Sequence, residues 1–446
     1  MSGTDGQQPE AVPARPGKRA GEAGPARPTA EPPIWTARML ATLDKGVTGG
    51  KWYSLIDKLY PETTLRAAFK AVAANRGAAG VDHVSIEHYA ETLDANLTRL
   101  SEALRTGTYR PQAIRRHYIP KPGSQEKRPL AIPTIQDRVV QTALRMVLEP
   151  IFERDFAAQS YGFRPQLGCK DALRRVDELL KAGYAHVVDA DLKSYFDTIP
   201  KDRLLALVAG KVADRRVLAL VQSFLEQSVL EDAREWVPEQ GTPRGAVISP
   251  LLSNIYLDPL DHLMAEKGYE MVRYADDFVV LCRTPEDAAA ALTVVRDWTA
   301  SAGLTLHPVK TRLVNARTTG FDFLGYRFEA GQKWPREKSL AKLKDTVRAK
   351  TKRTIGRSLA MVIDSLNPTL RGWFEYFKHS RQRTFGTLDG WIRRRLRSLL
   401  RKQQKLGGIA KVRGADQTRW PNAFFADHGL FSLQKAHAAV RQSPCG

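Results

Sequence analysis

Apolar positions recur along this chain with two different periods, and the switches between them predict the order of its elements. In "SLIDKLYPETTLRAAFKAVAANRGAAGVD" a helix broken by Pro61 leads into a second helix with Leu65, Phe69 and Val72 on one face, and a Gly-rich turn follows. The period then changes. "RRHYIP" and "RPLAIP" read as two short strands joined by a Gly-containing turn, which puts Lys121 and Arg128 on a basic hairpin. Helical spacing returns in "DRVVQTALRMVLEPIFERDF" through Val139, Ala143, Met146, Val147 and Ile151, with Pro150 expected to kink or end the run. "AHVVDADLKSYFDTIP" predicts a strand, a turn and a helix, and "EMVRYADDFVVLC" a hairpin. Strands that alternate with helices without a regular βαβ repeat imply an α+β fold, not a doubly wound sheet.

Beyond Trp334 the pattern is helical throughout. In "LNPTLRGWFEYFKHS", Asn367 is expected to cap a helix that starts at Pro368, with Leu370, Trp373, Phe374 and Phe377 as its core stripe. The flanks "RAKTKRTIGR" and "WIRRRLRSLLRKQQK" are expected on exposed faces.

Charge divides the chain in two. The net charge is +21, yet residues 331–446 carry 26 basic and 7 acidic side chains against 43 and 41 in residues 1–330. The front part is near neutral, and the back part has the electrostatics of a polyanion-binding surface, with Trp373, Phe374, Tyr376, Phe377 and Trp391 interleaved. The expected division is a disordered tail over 1–33, a first region over 34–330 and a basic helical region over 331–446. The tail is rich in Pro, Gly, Ala and Arg and has no apolar segment of the kind a secretory signal needs. The longest apolar runs fall far short of the ~20 residues of a membrane span. Cys169, Cys282 and Cys445 are too few and too scattered for a disulfide framework or a cysteine zinc site, so a reducing, cytoplasmic setting is expected.

The chemistry centres on Asp276 and Asp277. Two like charges a few ångströms apart at the tip of a half-buried hairpin cost several kcal/mol unless something positive neutralises them. A divalent cation does so, and magnesium takes one or two carboxylates together with substrate phosphates. A third carboxylate comes from "VVDADLKSYFD", where Val187, Asp189 and Asp191 share one strand face and Asp191 lies at the strand end.

These segments stand in an order that resembles the bacterial group II intron-encoded reverse transcriptase/maturases. The resemblance runs from about Gly80 to near the C terminus, through "IPKPGSQEKRPLAIPTIQDRVVQ", "LEPIFERDF", "SYGFRP", "DADLKSYFDTI", "GTPRGAVISPLLSNIYL", "RYADDFVVL", "HPVKTRL", "FLGYRF", "LNPTLRGWFEYF" and "RWPNAFFADHGLFSL". It implies a right-hand polymerase, with fingers and a palm on a mixed or antiparallel sheet, followed by an α-helical thumb/maturase region. It implies RNA-directed DNA synthesis by two-metal phosphoryl transfer, with two Mg²⁺ ions on Asp191, Asp276 and Asp277, together with intron RNA binding, splicing and mobility. Phe196 matches the aromatic that packs under the sugar and excludes a 2′-hydroxyl. Lys121 and Arg128 match residues that clamp the triphosphate, and Lys310 in "HPVKT" matches a candidate proton donor to pyrophosphate. Arg164 of "SYGFRP" and Arg393, Arg394, Arg395 and Arg397 are the expected RNA contacts. The implied partners are structured intron RNA, an RNA template with a DNA primer, dNTPs and target DNA, in a cytoplasmic ribonucleoprotein and away from membranes.

The chain departs from that pattern twice. Where the family has Gln in a Pro-Gln-Gly motif, this chain has Pro243, Arg244 and Gly245. Arg is charged and donor-only, which puts fine nucleotide selection in question while keeping Arg244 at the dNTP site. The cysteine and histidine pairs of a C-terminal endonuclease are also missing after Arg419, so target nicking is not expected. Two other readings stand beside the polymerase: an RNA-binding splicing cofactor with vestigial polymerase activity, and a related polymerase of phage defence or spacer acquisition.

Overall fold

The computed structural model describes residues 34–47, 50–120, 127–232, 234–406 and 413–442. The expected tail over 1–33, and Lys121, lie outside them, and of Arg128 only the backbone is described. The helix Glu62–Ala74 starts after Pro61 and buries Leu65, Ala68, Phe69 and Val72. It packs against Ile135–Glu153, whose buried positions include Val139, Val140, Ala143, Leu144 and Val147. That helix runs on past Pro150 to Glu153, because the flanking Leu148, Ile151 and Phe152 are all buried and hold the last turn in place. Pro150 therefore lies inside the helix and does not end it.

Three sheets carry the strands. The first combines β1 (Ile114–Pro120) and β2 (Lys127–Ile132), the expected basic hairpin, with two later strands. Between them in the chain lies β3 (His186–Asp191), and then come β4 (Val229–Glu231) and β5 (Arg234–Trp236). The order β2-β1-β4-β5 is mixed, since β1 and β4 run parallel while the other pairs are antiparallel. The second sheet is the palm. It joins β3 to β6 (Glu270–Tyr274), β7 (Asp277–Cys282) and β8 (Arg312–Asn315) in the order β6-β7-β3-β8, antiparallel throughout. The third sheet contains β9 (Phe321–Phe323), β10 (Tyr326–Glu329) and β11 (Gln332–Pro335).

Period-two alternation sends the two faces of the palm sheet into different cores. Val188, Ala190, Phe278 and Val280 join the main core with the helices Ser249–Glu266 and Pro285–Ser301. Val187, Val279 and Leu281 join a second core with the helix Cys169–Lys181 and with Phe321, Phe323, Tyr326 and Phe328 of the third sheet. Phe377 of the C-terminal region enters that second core, so the basic helices are fastened to the palm through apolar contact. The third sheet also runs across position 330, and the helical part begins at Glu337.

The C-terminal helices bury a third core built from Leu343, Val347, Leu366, Leu370, Phe374, Phe385, Leu396 and Leu433. Here the expected helix start at Pro368 is corrected. One helix spans Leu359–Phe377 with Ser358 as its cap, and Pro368 lies inside it. Val362, Ile363 and Leu366 extend the apolar stripe upstream, and burying them outweighs the one hydrogen bond that proline removes. Asn367 does not cap. Its side chain donates to the Gly429 carbonyl at 2.9 Å and accepts from the Phe431 N–H at 2.9 Å, tying down the C-terminal segment.

In the fingers, the buried Asp137 carboxylate accepts from the Tyr109 hydroxyl, the Gln112 N–H and the Gln227 amide, and its backbone N–H donates to the hydroxyl of the cap, Thr134, which holds the entry to β1 against the helix. Burial pushes its carboxyl up to about 6 in spite of these bonds. A carboxyl raised in the fold keeps its proton longer than in the unfolded chain. Its contribution to stability is full below pH ~4 and is lost as pH rises through about 6, roughly 3 kcal/mol in all. Asp137→Asn should remove this slope. Chemical denaturation between pH 4.5 and 7.5 checks it, and equal slopes in variant and wild type would contradict the assignment.

Candidate active site

The register of the palm sheet brings the expected carboxylates together. Asp191, the last residue of β3, stands directly opposite Asp277, the first residue of β7. Opposed residues of an antiparallel pair have Cα atoms about 4.5–5.5 Å apart. Tyr274 pairs with Asp277, so the β6–β7 turn is the two-residue loop Ala275-Asp276. Such a loop requires a positive φ, and Ala275 adopts +60°.

A network the sequence reading did not anticipate holds this turn. The Arg273 guanidinium, fully buried, donates to Asp261 Oδ1 at 2.7 Å, Ser160 Oγ at 2.7 Å, Asn254 Oδ1 at 3.0 Å and the carbonyl of Ala275 at 3.0 Å. Asp261 is equally buried and takes a second contact from the same guanidinium. Asn254 donates to the Gly162 carbonyl at 2.8 Å, and a Cβ on Gly162 would fall 2.3 Å from the Ala275 nitrogen. Only glycine lets the "SYGFRP" segment pass beneath the turn. The signal for this network was an Arg inside the apolar "EMVRY" and two Asp, Asp258 and Asp261, inside "IYLDPLDHLM", since charges in apolar runs are buried in pairs.

The carboxylates feel one another. Asp277 is pushed up to about 7, by burial first and then by Asp276, Asp189 and Asp191, with Arg336 opposing. Asp189 is also raised by burial, which its pair with Arg312 at 3.0 Å counters. Lys310, just before β8, places its Nζ 2.8 Å from Asp191 Oδ2. Among the described residues no three His, Cys, Asp or Glu side chains form a ready-made metal cluster. Even so, the hard oxygen donors and their mutual repulsion fit a magnesium ion, which takes one or two carboxylates and leaves its other positions to phosphate and water. Reverse transcriptases generally use divalent metals.

Phe196 lies in a short helix, Tyr195–Thr198, just past the end of β3. The "GTPRG" loop is strapped to it. The Thr242 N–H donates to the Phe196 carbonyl at 2.7 Å, and a Cβ on Gly241 would come within 2.7 Å of the same oxygen. At its other end the loop joins the fingers, where the Arg244 carbonyl accepts from Ala131 N–H of β2 at 2.7 Å. Phe196 and Arg244 line one cavity of about 210 Å³ together with Arg116, Ala131 and Trp236.

The expected RNA contacts fare differently. Arg164 is not a surface residue. Its side chain is 8% exposed and donates to Glu153 and to the carbonyls of Ala157 and Ser160, so it braces the segment that follows the helix Ile135–Glu153. On the helix Arg383–Gln403, consecutive arginines point several ways. Arg397 is buried and donates to Trp420 O and Asn422 Oδ1. Arg395 is half-buried against Thr351, and Arg393 lies 3.8 Å from Asp389. Arg394 alone of the four is exposed.

An antiparallel palm ending in paired carboxylates, beneath a mixed fingers sheet, is the frame of a right-hand polymerase. Residues 119–328 match the family described as reverse transcriptase (RNA-dependent DNA polymerase), and residues 340–417 match the group II intron maturase-specific domain. Protein YkfC of Escherichia coli (strain K12) is 32% identical over 60% of this chain and 80% of its own length. Group II intron-encoded protein LtrA of Lactococcus lactis subsp. cremoris is 36% identical over 49% of this chain, and the match spans 36% of that protein. A solved structure titled partial Cas6-RT-Cas1--Cas2 complex aligns over 56% of this chain and 42% of that chain, at 21% identity and a TM-score of 0.37, too distant to bear on function. The chain belongs to the reverse transcriptases of the group II intron-encoded type.

Arg273→Met should lower the unfolding free energy by about 3–5 kcal/mol, because it leaves Asp261 buried and unpaired. Adding Asp261→Leu should recover part of the loss. Denaturant titration reads both, and a single variant as stable as the wild type would contradict the role given to the pair.

Proposed function

We propose that this chain is an RNA-directed DNA polymerase that also binds group II intron RNA and assists its splicing and mobility. The observation that carries the reading is the convergence of Asp191, Asp276 and Asp277 at one end of the palm sheet, where burial first and then the neighbouring carboxylates push Asp277 up to about 7. A protein that only binds RNA gains nothing from a cluster that repels phosphate, which weighs against a splicing cofactor with vestigial polymerase. The maturase-domain match over 340–417 favours an intron role over phage defence or spacer acquisition.

Asp191, Asp276 and Asp277 would hold two Mg²⁺ ions. Bound there, the ions would lower the pKa of the primer 3′-hydroxyl and offset charge on the leaving pyrophosphate. The chain's own groups do the rest. The hairpin turn, locked by Arg273, fixes where the carboxylates stand before substrate arrives. Lys310, whose Nζ lies beside Asp191, would give a proton to the departing oxygen. Phe196 sits beneath the sugar and leaves no room for a 2′-hydroxyl. Lys121 and Arg128 hold the triphosphate. Residues 34 to about 330 form fingers and palm, and the basic helices from Glu337 onward form thumb and maturase. Reverse transcriptases and group II intron maturases bind RNA. For this chain the further partners are a DNA primer, dNTPs and target DNA, in a cytoplasmic ribonucleoprotein. Among the described residues no helix is long and apolar enough to cross a membrane.

Asp276→Ala should abolish primer extension on an RNA template, while thermal melting without metal stays level or rises because a like charge has gone. Extension at the wild-type rate would refute the catalytic assignment. In the maturase region the exposed and buried arginines should separate. Arg394→Ala should leave melting unchanged and flatten the salt dependence of intron RNA binding by up to about 0.7–0.9 in log–log slope. Arg397→Ala should instead cost about 1–3 kcal/mol of stability, from its lost bonds to Trp420 and Asn422. The same result for both variants would contradict this division.

A further inference from the structure

Arg244 places its guanidinium carbon 5.2 Å from the centre of the Phe196 ring, in cation–π range. Its backbone is fixed independently. The Arg244 carbonyl is bonded to β2 of the fingers, and the adjacent Gly245, at φ +108°, passes so close to β2 that a Cβ would lie 2.7 Å from the Ala131 carbonyl. On the other side of the ring's residue, the Phe196 carbonyl is held by Thr242 and the Ile199 carbonyl by Gly241 at 2.8 Å. The ring edge meets Tyr195 with centroids 5.4 Å apart, and Tyr195 is anchored through its hydroxyl to the Ser253 carbonyl at 2.7 Å. Phe196 is thus gripped from the palm by Tyr195 and covered from the fingers by Arg244, and only 8% of it is exposed.

We propose that Arg244 is a positioning residue that sets sugar selectivity by fixing the Phe196 ring from the fingers side, so that the rigidity of the gate depends on the fingers strand β2. The proposal rests on the reading of Phe196 as the residue beneath the sugar. A planar guanidinium suits this role, since it lies flat on an aromatic face where an ammonium presents only a point charge. Without it, the ring keeps its backbone ties and its contact with Tyr195, but its outer face borders the 210 Å³ cavity and has room to tilt. A ring that can tilt admits a 2′-hydroxyl more often.

The test is single-nucleotide addition on an RNA template, with the ratio of kcat/KM for a ribonucleotide to that for its deoxynucleotide measured in the wild type, Phe196→Val, Arg244→Ala, Arg244→Lys and the Phe196→Val/Arg244→Ala double variant. Phe196→Val should raise the ratio, and Arg244→Ala should raise it about two- to fivefold, the range a cation–π contact at a partly exposed site implies. The double variant should match Phe196→Val alone, because Arg244 acts through the ring. Arg244→Lys should recover only part of the wild-type ratio. If Phe196→Val changes the ratio and Arg244→Ala does not, the gate stands and the proposal falls. It also falls if the two effects multiply in the double variant, or if lysine restores selectivity in full, since either result would mean direct contact with the nucleotide through charge. If Phe196→Val leaves the ratio unchanged, the gate itself is wrong and the proposal fails with it.

Discussion

The buried pair of Arg273 and Asp261 fixes the geometry on which the rest of the site depends. Five donor groups on one guanidinium tie together three segments: the turn at Ser160, the helix that carries Asn254 and Asp261, and the hairpin loop at Ala275. A buried ion pair is weak support for stability as such, since well-packed apolar residues often do as well or better. Its value here is directional. The fork geometry accepts one arrangement of the three segments, and in that arrangement Ala275 takes a positive φ and Asp277 faces Asp191. Gly162, lying under the turn, adds a steric condition to the electrostatic one.

From that anchor the electrostatics run outward in order. The carboxylates concentrate negative charge at one end of the palm sheet, and cations stand around them: Lys310 on Asp191, Arg312 on Asp189, and Arg336 within range of Asp277. An anion can approach such a cluster only when cations offset it. Further along the chain the balance reverses. The C-terminal helices carry the excess positive charge that a polyanion needs, and Phe377 packs them onto the same palm sheet that ends in the carboxylates. One chain thereby joins a strongly basic helical region to the sheet that carries the carboxylates.

Much of this was legible in the sequence. Period two in "HVVDAD" placed Asp191 on the correct face, and the Tyr-Ala-Asp-Asp string between two apolar runs located the hairpin, because both signals are local. What was missed depended on tertiary context. Pro368 looked like a helix start until the buried Val362, Ile363 and Leu366 carried the helix through it. Arg164 and Arg397 were expected to contact RNA, yet each is drawn inward, Arg164 by Glu153 and the Ala157 carbonyl and Arg397 by the Trp420 carbonyl and the Asn422 amide oxygen. A side chain's type states what it can bond, and only packing decides which partner it meets. Arg244 over Phe196 is a further case, since neither residue's neighbours in sequence announce the contact.

The central claim is that the β3–β7 end is a divalent-metal centre built from Asp191, Asp276 and Asp277. Its most direct test is electron paramagnetic resonance of Mn²⁺ titrated into the protein with an RNA template, a chain-terminated primer and a matched dNTP, comparing the wild type with Asp191→Asn. The account predicts protein-bound Mn²⁺ in the wild-type complex and a marked loss of it in Asp191→Asn, with primer–template still bound. Equal Mn²⁺ binding in the two proteins would contradict it.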